Sequence, residues 1–466
     1  MKLNYFCAKL DTMRLFTTAI FSFFLFFSLP AQNFKHALDS LLCDKLFDDS
    51  DVSVAVYDLD DDSLVYAHRA KKMCRPASVL KLLTAGVALE RLGVNYSICT
   101  TLGISESATS RNLSLRGEMD PLFSEHDLDA MVVSVGDSSV VDTLFVDCSF
   151  MDSIYWGPGW SWDDTPWDFQ PYMSPLMLNG GCVDVSVKPA DKGAAPVVEC
   201  KPVSSYYSVV NEAVSHDASC GKLTILRDWL DNSNVIRVRG NCNGASGERM
   251  NMFRSEQFFV TVMCEKLAAR GVDVRNVVYA ASPDSFALLH RTLRPILDVV
   301  DEALKESDNL CAEALTFHLG ALYGHFPVSH KDGTTLIKGF LDYNLKMPQR
   351  YDIADGSGLS LYTYISADIM VQMLRHIYHN PIVYESVLRG LPIAGWTGTL
   401  KGRMAGTVAE RKIHAKTGTV TGICTLAGYA KASNGHTLAF VIFNQSVMAS
   451  RSARRWQNKV CELLCR

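Results

Sequence analysis

The sequence contains no CxxC pair and no Gly-x-Ser-x-Gly elbow. The first absence excludes a zinc ribbon or a thioredoxin-like redox site, and the second an α/β-hydrolase nucleophile. Neither sign of charge is in large excess: 45 Lys and Arg against 50 Asp and Glu leave a net charge of −5, with no basic stripe. That balance argues against nucleic acid as a partner. Internal repeats are missing, which sets aside solenoids and propellers. After residue 32 no apolar run is long enough to span a bilayer. What is present is ordinary globular material, 466 residues with 48% hydrophobic and 20% charged side chains, enough for roughly two to four domains, each with a core.

The first informative segment is the N-terminus. Met13-Arg14 precedes Leu15 to Leu29, rich in Phe and Leu, and Pro30-Ala31-Gln32 follows. A charged start, about 15 apolar residues and a small residue at the exit describe a secretory leader, whereas a spanning helix needs about 20. Residues 1–32 are expected to be a signal peptide cut near Ala31, and the chain to be exported to the periplasm. Met13 begins a complete signal by itself, so residues 1–12 read as an over-extended start. A leader left uncut would hold the protein peripherally at a membrane. Of 14 cysteines, Cys7 leaves with the leader, and 13 remain. Six (Cys148, Cys182, Cys200, Cys220, Cys242, Cys264) fall between residues 148 and 264, where one or two disulfides compete with a role as small buried hydrophobes.

Residues 51–67 read as two strands around an acidic turn. Pro76 to Leu92, apolar almost all round and ended by Gly93, reads as a buried helix. From Cys99 to Ala281 short alternating segments separated by Gly, Asn, Asp and Pro form a β-rich block. Helical periodicity returns at 295–304, 309–323 and 365–377. It gives way to strands at 412–417, 425–430 and 436–443, the last two joined at Asn434-Gly435, and an amphipathic helix covers 450–464. The expected architecture is therefore α/β. Residues 33–98 and 285–466 build one domain from both ends of the chain, and residues 99–284 are a β-rich insertion of one or two small domains.

Three segments can carry chemistry. In Ser78-Val79-Leu80-Lys81 the i, i+3 spacing on a helix puts the amine within reach of the hydroxyl. Burial lowers a lysine's affinity for its proton, which suits a general base, and serine needs such a base to become a nucleophile. The plainer reading is a helix start with a snorkelling lysine. Ser307-Asp308-Asn309 sits in a break between two helices, where short polar side chains can point into a cleft or simply cap the second helix. Lys416-Thr417-Gly418-Thr419 lies on a strand. Gly418 permits a close backbone approach, and one lysine with two threonines makes an anion site suited to a carboxylate; its plain alternative is an edge strand defended by a lysine. His376-x-x-His379 has no third ligand near it in sequence and reads as a solvated face, so no metal or other cofactor is expected.

In this order and context the three segments resemble the D-alanyl-D-alanine carboxypeptidase/endopeptidase family, the class C low-molecular-mass penicillin-binding proteins. The 229 positions between Ser78 and Ser307 match that family's long insertion. Further similar segments are Arg75-Pro76-Ala77-Ser78, Leu92-Gly93-Val94-Asn95-Tyr96, Gly157-Pro158-Gly159-Trp160-Ser161-Trp162-Asp163-Asp164, Ser307-Asp308-Asn309-Leu310, Asp355-Gly356-Ser357-Gly358-Leu359-Ser360 and Lys416-Thr417-Gly418-Thr419. Two departures are Ala303-Leu304-Lys305-Glu306 before Ser307 and Gly117-Glu118-Met119-Asp120-Pro121 where a Gly-Gly-Asp-Pro turn is usual.

The resemblance implies a penicillin-binding-protein and serine β-lactamase-like fold, an antiparallel sheet flanked by helices. It implies a serine D,D-peptidase acting on peptidoglycan stem peptides and their cross-links, with β-lactams as covalent inhibitors. Ser78 would be the nucleophile and Lys81 its base. Ser307 and Asn309 would serve proton transfer and amide binding, and Lys416, Thr417 and Thr419 would hold the terminal carboxylate. Trp160 and Asp163 would contact the diamino residue of the stem peptide, against a plainer role for the tryptophan as a packing anchor. Two rival readings are a β-lactamase, for which no segment nominates a deacylating carboxylate, and a catalytically silent wall-binding or β-lactam-sensing protein.

Overall fold

Strand β5 (Thr437–Val447) reads Thr-Leu-Ala-Phe-Val-Ile-Phe and is buried on both faces, as is most of β1 (Asp51–Asp58). Continuous apolar runs of this kind belong at the centre of a sheet covered on both sides. The computed structural model, which describes residues 34–107, 110–281, 285–347 and 350–466, places them there. The sheet is antiparallel, in the order β3 (Ile413–Val420), β4 (Gly422–Lys431), β5, β1, β2 (Ser63–His68). The register is set by β5: Ser53 faces Phe443 and Ala55 faces Val441. Alternation splits the strands between two cores. Ala439, Val441 and Phe443 join the helical layer, and Leu438, Phe440 and Ile442 join the layer beneath the C-terminal helix Ser450–Leu464. The expected leader and its cut near Ala31 lie outside the described residues.

The helical layer contains α1 (Leu80–Leu92), α2 (Ile296–Lys305) and α3 (Asn309–Ala321), with further helices at His330–Asn344, Ala367–Tyr378 and Pro381–Gly390. Helix α1 is buried over Leu80 to Leu89, so its lack of a polar face has its cause in packing on both sides. The strands of the tail run further than their apolar stretches, because β-sheet pairing continues through Thr417, Gly418 and Thr419 to Val420.

Between Ser97 and Pro295 the chain makes an excursion. Strand Ser97–Glu106 leaves and strand Ala287–Pro295 returns beside it, antiparallel, with Ser97 opposite Pro295 and Ile296 N donating to Tyr96 O at 2.9 Å. These two strands belong to one five-stranded sheet; two three-stranded sheets and the helices Glu125–Ser134 and Ser255–Ala269 complete the block around its own core. Thirteen cysteines are present among the described residues and all are free thiols. In the Gly117 to Pro121 turn, Met119 holds a left-handed φ of 64° while fully buried, a conformation glycine adopts without strain.

Candidate active site

The Ser78 turn is built by tight backbone packing. Ser78 lies on the 3-10 turn Ala77–Val79 that opens α1, and Ala77 holds φ 46°. Strained backbone of this type costs roughly 1–3 kcal/mol and persists only where its surroundings impose it. The surroundings here are explicit. Thr425 Oγ1 on β4 donates to Pro76 O at 2.7 Å, and a side chain at Gly418 would meet Thr425 Oγ1 at 2.2 Å and Ser78 N at 3.0 Å. The close approach that demands glycine at 418 is therefore to Thr425 on β4 first and to the Ser78 turn that Thr425 holds second. Gly358, at φ 79°, closes the turn from the other side, where a Cβ would lie 2.0 Å from Ala77 O.

Lys81, in the first turn of α1, is fully buried. Its Nζ sits 3.0 Å from Ser78 Oγ, 2.6 Å from Asn309 Oδ1 and 2.9 Å from Ser357 O. An ammonium fills all three contacts as donor. A neutral amine has only two N–H groups, and the carbonyl oxygens of Asn309 and Ser357 take both, which leaves its lone pair facing the Ser78 hydroxyl. Burial is the largest influence on this amine and lowers its pKa to about 8, against the carboxylates of Asp308, Asp355 and Glu313, which favour its charged form.

The Ser307 to Asn309 segment serves as cap and as cleft wall at once. Asp308 is the N-cap of α3, accepting from Cys311 N at 2.6 Å, while Ser307 (φ 71°) and Asn309 on either side of it turn inward. Asn309 Nδ2 donates to Phe169 O at 2.7 Å, so its oxygen is left for Lys81. From β3, fully buried Lys416 donates to Ser307 Oγ at 2.8 Å and to Thr417 O at 2.9 Å. Its pKa lies well below the usual lysine value through burial first and the Lys81 charge second.

These groups converge on a cleft of about 460 Å³ lined by Ser78, Ser307, Asn309, Thr419, Asp163 and Phe169, among others. Thr417 Oγ1 donates to Thr399 Oγ1 at 2.8 Å, and Thr419 Oγ1 accepts from Arg454. Asp163, on the short turn Trp162–Asp164, faces the cleft. Trp160 does not. Its Nε1 donates to Asp355 Oδ2 at 3.1 Å and its ring packs on the main core, which is the packing-anchor role. His376 pairs with Glu90 at 2.8 Å, and His379 lies 4.0 Å from Asp62, so the two rings serve different partners.

Sequence reasoning does not reach the layer behind the cleft. The carboxylate of Asp355 accepts from Gly358 N, Ser360 N, Ser357 Oγ, Thr363 Oγ1 and Trp160 Nε1. Glu313 on α3, fully buried, accepts from Gly356 N, from Ser357 N at 2.8 Å and from His330 Nε2 at 3.1 Å. Burial drives both acids upward. For Asp355 the Glu313 charge adds to that rise, whereas for Glu313 the bonds from His330 and the loop outweigh it and leave the carboxyl below its usual value. The two acids fix the loop whose Ser357 carbonyl orients Lys81. Only the resemblance of the Asp355 to Ser360 segment flagged this loop, because a carboxylate that binds backbone N–H groups has no diagnostic spacing.

The model of the D-Ala-D-Ala carboxypeptidase 3 (S13) family matches residues 34–464. Over 440 residues the sequence is 29% identical to a D-alanyl-D-alanine carboxypeptidase of Actinomadura sp. (strain R39), covering 88% of this chain and 80% of the other. It is 25% identical over 450 residues to the D-alanyl-D-alanine carboxypeptidase DacB of Haemophilus influenzae, covering 92% of each. The fold is similar to the crystal structure of penicillin binding protein 4 from Haemophilus influenzae, with a TM-score of 0.79, 22% identity, and coverage of 91% of this chain and 97% of that one.

Proposed function

The chain belongs to the D-Ala-D-Ala carboxypeptidase 3 (S13) family, and on that premise we propose how its residues carry out a serine D,D-peptidase reaction on peptidoglycan stem peptides. Ser78 Oγ attacks the carbonyl carbon of the penultimate D-alanine as its proton passes to neutral Lys81. The backbone N–H groups of Ser78 and Thr419 receive the oxyanion. The C–N bond then breaks; the leaving amine takes a proton through Ser307, and Asn309 holds the peptide amide. Water cleaves the resulting Ser78 ester and restores the hydroxyl. The substrate's terminal carboxylate binds at Lys416, Thr417 and Thr419, and Asp163 meets the amine of the diamino residue at the other end of the cleft.

One observation carries this reading: Lys81 Nζ touches Ser78 Oγ while two fixed carbonyl acceptors hold its remaining hydrogens. The pairing of Lys81 with Lys416 adds a substrate-dependent element. A carboxylate beside Lys416 favours its charged form, and that charge in turn opposes protonation of Lys81, so substrate binding keeps the base neutral. A β-lactam enters by the same route, its amide carbonyl acylating Ser78. Removal of a terminal D-alanine and opening of a D-Ala cross-link break the same kind of bond and use the same groups. The apolar leader supports export to the periplasm, where this substrate lies.

The deciding measurement is D-alanine release from pentapeptide muropeptides by the mature protein beginning near Gln32, with Ser78→Ala beside it. Release that disappears in the variant supports both the reaction and the nucleophile. Absence of release and of β-lactam labelling in the folded wild-type protein overturns them.

A further inference from the structure

Beside the catalytic cleft lies a second cavity of about 350 Å³ with an unusual lining: Trp156, Trp160, Trp162 and Trp229, with Tyr172 and Gln170 among the rest. The rings are arranged in two tilted pairs. Trp162 and Trp229 stand 5.4 Å apart at 44°, and Trp156 and Tyr172 stand 4.8 Å apart at 57°. Trp162 is 71% exposed, and Leu230, also in the lining, is 72% exposed. Large apolar surface left open around a concavity marks a binding site more often than chance exposure does.

Three observations define the occupant. No lining residue is charged at neutral pH, and burial raises the Tyr172 hydroxyl further from ionisation, so an ionic ligand finds no counter-charge. The Tyr172 ring already carries the buried Arg227 guanidinium, 5.8 Å from its centroid, which disfavours a cationic guest at that ring. At the cavity wall Gln170 is 2% exposed and its amide oxygen has no partner, an unsatisfied acceptor in a mostly aromatic lining that also holds Thr165 and Asn232. A neutral ligand with a flat C–H face and a polar edge satisfies all three, and a pyranose is such a ligand: its C–H face stacks on indole and its hydroxyls and acylamino group bond at the rim.

The position of the cavity links it to the reaction. Along one segment, Trp160 and Trp162 line the aromatic cavity while Ser161 and Asp163 line the cleft that holds Ser78. The wall is anchored: Ser360 Oγ donates to Pro158 O at 2.6 Å, Leu361 N to Gly159 O at 3.0 Å, and Tyr172 OH to Asn232 Oδ1 at 2.8 Å. A stem peptide lying in the cleft is attached to an N-acylated amino sugar through an amide, so its sugar end is neutral. We propose that the Trp156, Trp162 and Trp229 cavity is a sugar subsite that binds the glycan end of the substrate. The proposal rests on the peptidase reading for its biological sense but not for its test.

The test uses the mature full-length chain and the neutral, peptide-free probe di-N-acetylchitobiose. Saturable quenching of tryptophan fluorescence is expected, with affinity reduced about tenfold in Trp229→Ala and in Trp162→Ala, the equivalent of one lost stacking partner. Trp162 is largely exposed, so that variant keeps its core. No saturable quenching in the wild type, or unchanged affinity in both variants, overturns the proposal. With substrates, KM for a disaccharide-linked pentapeptide is expected below that for the same peptide without sugar, and Trp229→Ala brings the two values together; equal values in the wild type also overturn it. If neither substrate releases D-alanine, the peptidase reading fails, and the chitobiose titration still decides the sugar subsite.

Discussion

Glu313→Gln isolates the contribution of the layer behind the cleft. The native carboxylate accepts from two backbone N–H groups and from His330 Nε2. Glutamine has the same shape but offers one acceptor oxygen and turns an N–H pair toward donors. With its oxygen at the Oε1 position glutamine still accepts from Gly356 N and Ser357 N, but its N–H pair then faces the His330 donor; that buried contact is lost, at about 1–3 kcal/mol, and the surviving bonds lose their charge assistance, at about 1 kcal/mol more. A loss of roughly 2–4 kcal/mol in urea unfolding is expected. Activity responds in a separate way. The Glu313 charge is one of the influences that raise the Lys81 pKa, so its removal lowers that pKa and moves the acid limb of kcat/KM toward lower pH, while a displaced Ser357 carbonyl reduces the plateau. The assay is a pH series of kcat/KM beside the unfolding curve. A limb that moves toward higher pH, or an unfolding midpoint equal to wild type, would refute the assignment of Glu313 as the support of the Lys81 loop.

Three further outcomes follow from the same geometry. In the wild type, kcat/KM is expected to fall with unit slope as pH drops below about 8, the value to which burial lowers Lys81, because only the neutral amine can take the Ser78 proton; a flat profile from pH 8 down to about 6 would exclude Lys81 as the base. Gly418→Ala places a methyl 2.2 Å from Thr425 Oγ1 and 3.0 Å from Ser78 N, and acylation by a fluorescent penicillin is expected to slow by tenfold or more, on the order of 1.4 kcal/mol, in a protein that still folds. Thr399→Val removes the acceptor of the Thr417 hydroxyl, with an expected cost of about 0.5–1.5 kcal/mol, read as a rise in KM for a substrate with a free terminal carboxylate.

Legibility in the sequence followed the kind of interaction. Strands β1 and β5 were readable because burial on both faces writes an uninterrupted apolar run, and the pairing of Ser78 with Lys81 because helical spacing alone brings i and i+3 together. At Ser307-Asp308-Asn309 the choice between cap and cleft was undecidable from sequence, and both hold, on adjacent residues. Helices His330–Asn344 and Pro381–Gly390 were missed, the first because Gly333 and Gly339 interrupt its pattern, the second because it is short. Glu313 and Thr399 carry no motif at all: each acts on a residue far from it in sequence, and only the fold makes them neighbours. Trp229 likewise meets Trp162 across 67 positions through the packing of two loops.

The pairing of β1 with β5 has a consequence for the order in which the molecule is made. Asp51 stands opposite Gln445 in the β1–β5 register, so the centre of the main sheet joins one of the earliest described segments of the chain to one of the last. While the polypeptide emerges from N to C, β1 has no partner but the β2 hairpin, and the Ser78 turn lacks the β3 and β4 strands that clamp it. The Ser97–Pro295 block, with a core of its own, can condense during that interval. The Ser78 turn is thus completed last, once nearly the whole chain is available for folding.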